Sequence, residues 1–129
     1  MNGEQILAID DNPANLKLIR VLLSAHGYDV RTATDAEEAL ELLAVETPAL
    51  ILMDIQLPGM DGLELSRRLK ADPATRGITI VAVTAYAMKG DEARALAAGC
   101  DGYLPKPIDV TALPTQVAAW IEHANPEAH

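Results

Sequence analysis

Hydrophobic residues in this chain occur in short runs that alternate with longer amphipathic segments. Three mainly aliphatic runs, at residues 5–9, 49–53 and 78–84, have the length of buried strands, and the shorter or mixed segments 28–33 and 102–104 can also form strands. Each of the five is followed by a segment in which apolar residues recur at helical spacing. The run at residues 49–53 leads directly into Asp54 and a loop that contains Pro58, Gly59 and Gly62. This alternation predicts parallel βαβ units with right-handed crossovers, and therefore a doubly wound (βα)5 sandwich of three layers.

The strand boundaries follow from the ends of the aliphatic runs, and the helix boundaries from capping residues. Asn12 and Asp35 are typical N-caps, and Asp61 is a candidate cap for the third helix. The last helix is predicted from about Val110 to Ile121, or from a later start, because Pro114 falls within its first turn. The predicted strands cover residues 5–9, 28–33, 49–53, 78–84 and 102–104.

Length and composition favour one small acidic domain. The chain has 129 residues, half of them hydrophobic, and we expect a single domain over residues 1–129 with its core at about 4–122 and no output domain. A net charge of −9 argues against binding to nucleic acid or to an anionic membrane surface. The single cysteine, Cys100, and the lack of a signal-peptide or membrane-span pattern lead us to expect a cytoplasmic protein.

Polar side chains stand at the carboxyl ends of four predicted strands. Asp10 and Asp11 follow the first strand, Asp54 the third, Thr84 ends the fourth, and Lys106 comes shortly after the fifth. Each residue alone has an ordinary explanation, such as a helix cap or a solvated loop charge. Because the carboxyl ends of parallel strands share the edge where open α/β folds bind ligands, their joint occurrence predicts a functional site.

Three crowded carboxylates and a lysine indicate phosphoryl chemistry. Carboxylates at short range repel one another, and a divalent cation relieves that repulsion. Oxygen ligands are typical of Mg²⁺, whereas the lack of nearby His or Cys argues against zinc. Asp54 can then act as a nucleophile towards a phosphoryl group, whose oxygens Mg²⁺ and Lys106 would neutralise and the Thr84 hydroxyl would hydrogen-bond.

Four short motifs at these strand ends are found together in one known protein family. They are Asp10-Asp11, the segment ILMDIQLPGMDG around Asp54, Thr84-Ala85, and Tyr103 with Lys106-Pro107. Their combination resembles the receiver domain of two-component response regulators, the CheY-like fold, over nearly the whole chain. This resemblance implies a flavodoxin/CheY-like sheet of five parallel strands in the order 2-1-3-4-5.

The resemblance also implies a phosphoacceptor and a metal site. Asp54 would accept a phosphoryl group from phosphohistidine, and the domain would catalyse only its own phosphorylation and dephosphorylation. Mg²⁺ would be held by Asp10 and Asp11, directly or through water, together with Asp54 and the backbone carbonyl of Gln56.

The remaining motif residues would form a switch. By resemblance, Thr84 is the switch hydroxyl, Lys106 pairs with the phosphate, and Tyr103 is the aromatic residue that moves inward when Thr84 moves. The face built from the fourth helix, fifth strand and fifth helix would then be remodelled for a downstream protein.

The expected partners are proteins. They are a sensor histidine kinase or a histidine phosphotransfer protein, and a downstream protein target, bound by a monomer or weak dimer of this chain. Residues 53–58 and 83–92 resemble most closely the DivK-type regulators of bacterial cell division and polarity.

Four other interpretations were weighed against this one. A phosphatase of the dehalogenase class needs a second Asp where this chain has Gln56, and a flavodoxin needs a phosphate loop where Asp10 and Asp11 would repel phosphate. A receiver that serves only as a non-phosphorylated binding module would normally lack one of the residues present here. A receiver excised from a hybrid histidine kinase stays an open alternative, because sequence boundaries alone do not distinguish it from a single-domain regulator.

Overall fold

The fold is a parallel sheet covered by helices on both faces. The computed structural model describes residues 4–57, 59–60, 62–84, 91–106 and 108–124. Within these ranges five strands alternate with five helices, and the strands lie in the order β2-β1-β3-β4-β5 with every neighbouring pair parallel. The elements are β1 Gln5–Ile9, α1 Pro13–Ser24, β2 Asp29–Ala33, α2 Ala36–Leu43, β3 Leu50–Asp54, α3 Gly62–Ala71, β4 Thr79–Thr84, α4 Asp91–Ala97, β5 Gly102–Pro105 and α5 Leu113–Ala124.

Successive residues of each strand belong alternately to two hydrophobic cores, one on each face of the sheet. In β3, for example, Leu50 and Leu52 pack against α1 and α5, whereas Ile51 and Met53 pack against α2, α3 and α4. Successive strand side chains point to opposite faces of a sheet, so a central strand covered on both sides is apolar throughout. We call these sides the two-helix face (α1 and α5) and the three-helix face (α2, α3 and α4).

Helices α1 and α2 begin at the capping residues predicted for them. Asn12 accepts the backbone N–H of Ala14, and Asp35 accepts that of Glu38, which confirms both predicted N-caps. Asp61 lies outside the described residues, as do residues 85–90 and Pro107.

The last helix begins at the later position that Pro114 allows. It starts at Leu113 rather than near Val110, after a turn in which the Asp109 carboxylate accepts the backbone N–H groups of Thr111 and Ala112. A start at Val110 would require an N–H at Pro114 to bond to the Val110 carbonyl, and proline has none. With the observed start, Pro114 occupies the first turn, where no such bond is needed.

Helix α3 is fixed at both ends. The Lys70 ammonium, near its carboxyl end, donates to the backbone carbonyl of Ile78 at 2.8 Å and to the Asp101 carboxylate at 2.9 Å. The same carboxylate accepts the backbone N–H of Ile80. At the other end the N–H of Gly62 donates to the carbonyl of Ile55 at 2.8 Å. Helix α3 is therefore held against β4 at one edge of the sheet and against the residues after β3 at the other.

None of the helices in the described ranges has both the length and the apolar character needed to span a bilayer.

Candidate functional site

The candidate site lies at the carboxyl-terminal edge of the sheet, where β1, β3 and β5 end. Ile9 pairs with Met53, so Asp10 and Asp54 follow them at the same level on adjacent strands. Both continue the alternation of their strands on the two-helix face, the side of Ala8 and Leu52. Asp10 is 3% exposed and Asp54 is 5% exposed. Strand register therefore brings two buried carboxylates together.

The orientation of each carboxylate is fixed by the backbone that follows it. Asp10 Oδ1 accepts the N–H of Asn12, and Asp54 Oδ1 accepts the N–H of Gln56, both at 2.9 Å. The same two-residue turn is thus formed after both strands. In each case it holds one carboxylate oxygen and leaves the other, Oδ2, for further contacts.

Lys106 bridges these two oxygens. Its backbone N–H donates to the Thr84 carbonyl at 2.7 Å, which continues the β4–β5 ladder one residue beyond β5. Its Nζ lies 3.0 Å from both Asp10 Oδ2 and Asp54 Oδ2. The ammonium group therefore neutralises part of the negative charge that strand register concentrates at this edge.

Asp11 completes an oxygen-rich cluster. One carboxylate oxygen each from Asp10, Asp11 and Asp54 can be chosen so that all three lie within 4.8 Å of one another. Asp11 is exposed, whereas the other two are buried. This donor set fits Mg²⁺, which prefers oxygen ligands and keeps several of its waters. Gln56 is exposed.

Thr84 and Tyr103, the two predicted switch residues, lie on the neighbouring strands β4 and β5. Tyr103 is partly buried and packs against the core of the three-helix face. Thr84, only 2% exposed, follows Ile80 and Ala82 in the alternation of β4 and so lies on that same face. The structure therefore brings together Asp10, Asp11, Asp54 and Lys106, and it places Thr84 at the end of β4, the strand next to that of Asp54, with Tyr103 against the three-helix core.

Burial and neighbouring charges change the pKa values of both Asp54 and Lys106. Burial raises the pKa of Asp54, and repulsion from Asp10 adds to that effect, although the Gln56 N–H and Lys106 oppose it. Burial lowers the pKa of Lys106, but its hydrogen bonds to Asp10 and Asp54 outweigh burial and leave the pKa raised. Both pKa values can be raised together because one lysine is shared by two carboxylates. Lys106 gains two negative partners, whereas Asp54 must share the single positive charge with Asp10.

The raised pKa of Asp54 predicts a pH-dependent effect of Asp54→Asn on stability. A carboxyl group whose pKa is higher in the folded protein binds more protons when folded, so it costs stability as the pH rises through that window. In Mg²⁺-free buffer we therefore expect Asp54→Asn and the wild type to be similar in stability near pH 3.8, which is the ordinary pKa of an aspartate side chain. The variant should become the more stable of the two as the pH rises to 7. Urea unfolding at stepped pH measures this difference, and a difference that shrinks with rising pH would contradict it.

One residue at the site is not among those predicted from the sequence. Asn15, on the first turn of α1, directs its side-chain Nδ2 towards Asp10 Oδ2 at 3.4 Å. The available signal was its position five residues after Asp10, at the start of a helix. Such a position is ordinarily explained by helix capping alone.

Comparison with known proteins identifies the family. The model of the response regulator receiver domain matches residues 6–118. The chain belongs to this family. Its CheY-like fold and the strand order predicted above are confirmed by structural neighbours as well as by the sheet itself.

Several relatives resemble this receiver closely. The polar-differentiation response regulator DivK of Brucella anthropi is 47% identical over 107 residues, which cover 83% of this chain and 87% of DivK. A CheY-like receiver domain protein from Methanospirillum hungatei has a TM-score of 0.89 at 31% identity, with 98% of this chain and 99% of that one covered. The receiver domain of a Pseudomonas aeruginosa sensor histidine kinase, described with magnesium in its active-site cleft, has a TM-score of 0.84 at 35% identity, covering 92% and 98%.

Proposed function

We propose that this receiver is a phosphoacceptor switch in which Asp54 takes a phosphoryl group from a phosphohistidine. The donor would be a sensor histidine kinase or a histidine phosphotransfer protein. The observation that supports this most directly is the bridge from Lys106 Nζ to the Oδ2 atoms of Asp10 and Asp54. A lysine ammonium held beside Asp54 is placed to neutralise the oxygens of a transferring phosphoryl group, which supports the proposal.

The metal that fits the site is Mg²⁺. Asp10, Asp11 and Asp54 would hold it, and the backbone carbonyl of Gln56 is the further ligand that we propose. When bound, Mg²⁺ would supply positive charge beside the transferring oxygens and relieve the repulsion among the three carboxylates.

The protein residues have separate tasks in the transfer. The Asp54 carboxylate forms the new O–P bond while the P–N bond to the donor histidine breaks, and the imidazole nitrogen keeps that electron pair. Lys106 exchanges its contact with Asp54 Oδ2 for one with a phosphoryl oxygen, because the phosphorylated side chain carries more negative charge than the carboxylate. The buried position of Asp54 limits the access of water to the acyl phosphate.

The switch would use the backbone link between Lys106 and Thr84. The N–H of Lys106 is bonded to the Thr84 carbonyl, so a lysine that moves pulls on the end of β4. We propose that the Thr84 hydroxyl donates to a phosphoryl oxygen and that Tyr103 follows it further into the three-helix face. The face of α4, β5 and α5 then changes its affinity for a downstream protein, as a shift between two populated states.

The pathway that we propose is bacterial cell division or polarity, by similarity to the DivK regulators, with the protein in the cytoplasm. A receiver from a hybrid histidine kinase would use the same site, so the chemistry does not depend on which of these contexts applies.

A small phosphodonor tests the proposal without knowledge of the kinase. Phosphoramidate has the P–N bond of phosphohistidine, and intact-mass spectrometry would follow its reaction with the protein. We expect one phosphoryl group per chain when Mg²⁺ is present and very slow modification when EDTA is added. A protein that stays unmodified with both phosphoramidate and acetyl phosphate, in the presence of Mg²⁺, would refute the proposed function.

A further inference from the structure

The contact of Asn15 with Asp10 is directed at the same oxygen that Lys106 binds. Asp10 Oδ2 lies 3.0 Å from Lys106 Nζ and 3.4 Å from Asn15 Nδ2, while Oδ1 accepts the N–H of Asn12. Asn15 is itself half-buried. The side chain of Asp10 is thus held by a backbone group on one oxygen and by two side chains on the other.

Helix capping does not explain an asparagine at this position. Asn15 is the third residue of α1, where a glutamate or glutamine commonly accepts the N–H of the N-cap residue. Here the N–H of the N-cap, Asn12, already donates to Asp10, and the Asn12 side chain already accepts the N–H of Ala14. Asparagine is also a weaker helix former than glutamate.

Charge explains why the residue is an amide. The first turn of α1 contains no acidic residue, although the helix dipole favours one there. A carboxylate at position 15 would add a fourth negative charge to the cluster of Asp10, Asp11 and Asp54. An amide donates a hydrogen bond to Asp10 without adding charge.

We propose that Asn15 is a positioning residue that holds the Asp10 carboxylate in its metal-binding orientation. This inference rests on the proposed function, in which Lys106 leaves the carboxylates for a phosphoryl oxygen. Asn15 then continues to hold Asp10 Oδ2 from the helix side. Groups that orient a metal ligand from outside commonly change metal affinity by ten- to a hundredfold, and a single 3.4 Å bond belongs at the lower end.

A Mg²⁺ titration followed by backbone amide shifts tests the role of Asn15. Asn15→Leu has the same shape without the donor, and we expect its dissociation constant for Mg²⁺ to rise about tenfold. Asn15→Ala should show the same loss and keeps a good helix former at the position. Asn15→Gln keeps an amide and should recover part of the affinity. Ala14→Leu introduces the same side chain one residue earlier, at an exposed position, and should bind Mg²⁺ like the wild type.

A second measurement separates positioning from general destabilisation. In the metal-free protein, the ¹³C signal of the Asp10 carboxylate should shift in Asn15→Leu and Asn15→Ala but not in Ala14→Leu. If both Asn15 variants bind Mg²⁺ as tightly as the wild type, the inference is wrong and the proposed function stands. If the wild type itself shows no response at the amides of Asp11 and Gln56, the metal site of the proposed function fails as well.

Discussion

Asp54→Asn is expected to reduce the Mg²⁺-dependent phosphoryl adduct to background while the domain stays folded. The asparagine oxygen can still accept the N–H of Gln56, so the turn after β3 is retained. Its nitrogen replaces a carboxylate oxygen and cannot form the acyl phosphate. Phosphorylation by phosphoramidate, measured by intact mass, should therefore stop rather than slow.

The matched control for this variant is Asp29→Asn. Asp29 lies at the start of β2, is half exposed and contacts Arg31 at 3.5 Å, far from the strand ends that form the site. The Asp29→Asn variant removes the same charge, and we expect it to form as much phosphoryl adduct as the wild type. An adduct of normal size on Asp54→Asn would place the phosphoacceptor elsewhere and would disprove the role of Asp54.

Gly62→Ala is expected to destabilise the domain by about 3 kcal/mol, because a methyl group at this position has no room. Its Cβ would collide with the backbone carbonyl of Asp54 and come within 2.9 Å of Ile55 Cα. These are backbone atoms at the end of a central strand, so they cannot move aside as a flexible side chain would. Gly62 is therefore required by the close approach of α3 to the candidate phosphoacceptor.

Gly77→Ala provides the comparison for this prediction. A Cβ at Gly77 would have no heavy atom within 4 Å, and Gly77 is not among the glycines with positive φ. Alanine at such a position usually leaves stability unchanged or raises it by about 0.4–1 kcal/mol. Urea unfolding of the two variants measures both effects. Equal stabilities of Gly62→Ala and Gly77→Ala would contradict the prediction, because they would show that the backbone at the end of β3 can shift to accommodate the methyl group.

The fold could be predicted from local pattern because both of its main signals are local. Aliphatic runs that end in turn residues marked the three central strands, and Asn12 and Asp35 marked two helix starts that the structure confirms. The start of the last helix could be given only approximately, because Pro114 allowed a start later than Val110. The Asp109 carboxylate, which accepts the N–H groups of Thr111 and Ala112, forms the turn that delays the helix to Leu113.

The residues of the candidate site and the sheet edge that they share were predictable, but their individual contacts were not. That Asp10, Asp54 and Lys106 meet depends on strand register across β1, β3 and β5, and the bridging lysine is 52 positions away from Asp54. Asn15 was missed because a helix position has an ordinary explanation until the partners of its neighbours are known. Distances between elements, rather than residue types, carry that information.

The division of the site across the sheet has a consequence for engineering. Asp10 and Asp54, which Lys106 bridges, continue the two-helix face, whereas Tyr103 packs into the three-helix face. Under the proposed function, exposed side chains of α4 could be changed to alter which downstream protein binds, while Asp10, Asp54 and Lys106 keep their contacts. In that proposal, output specificity would be altered at residues that do not contact the phosphoryl group.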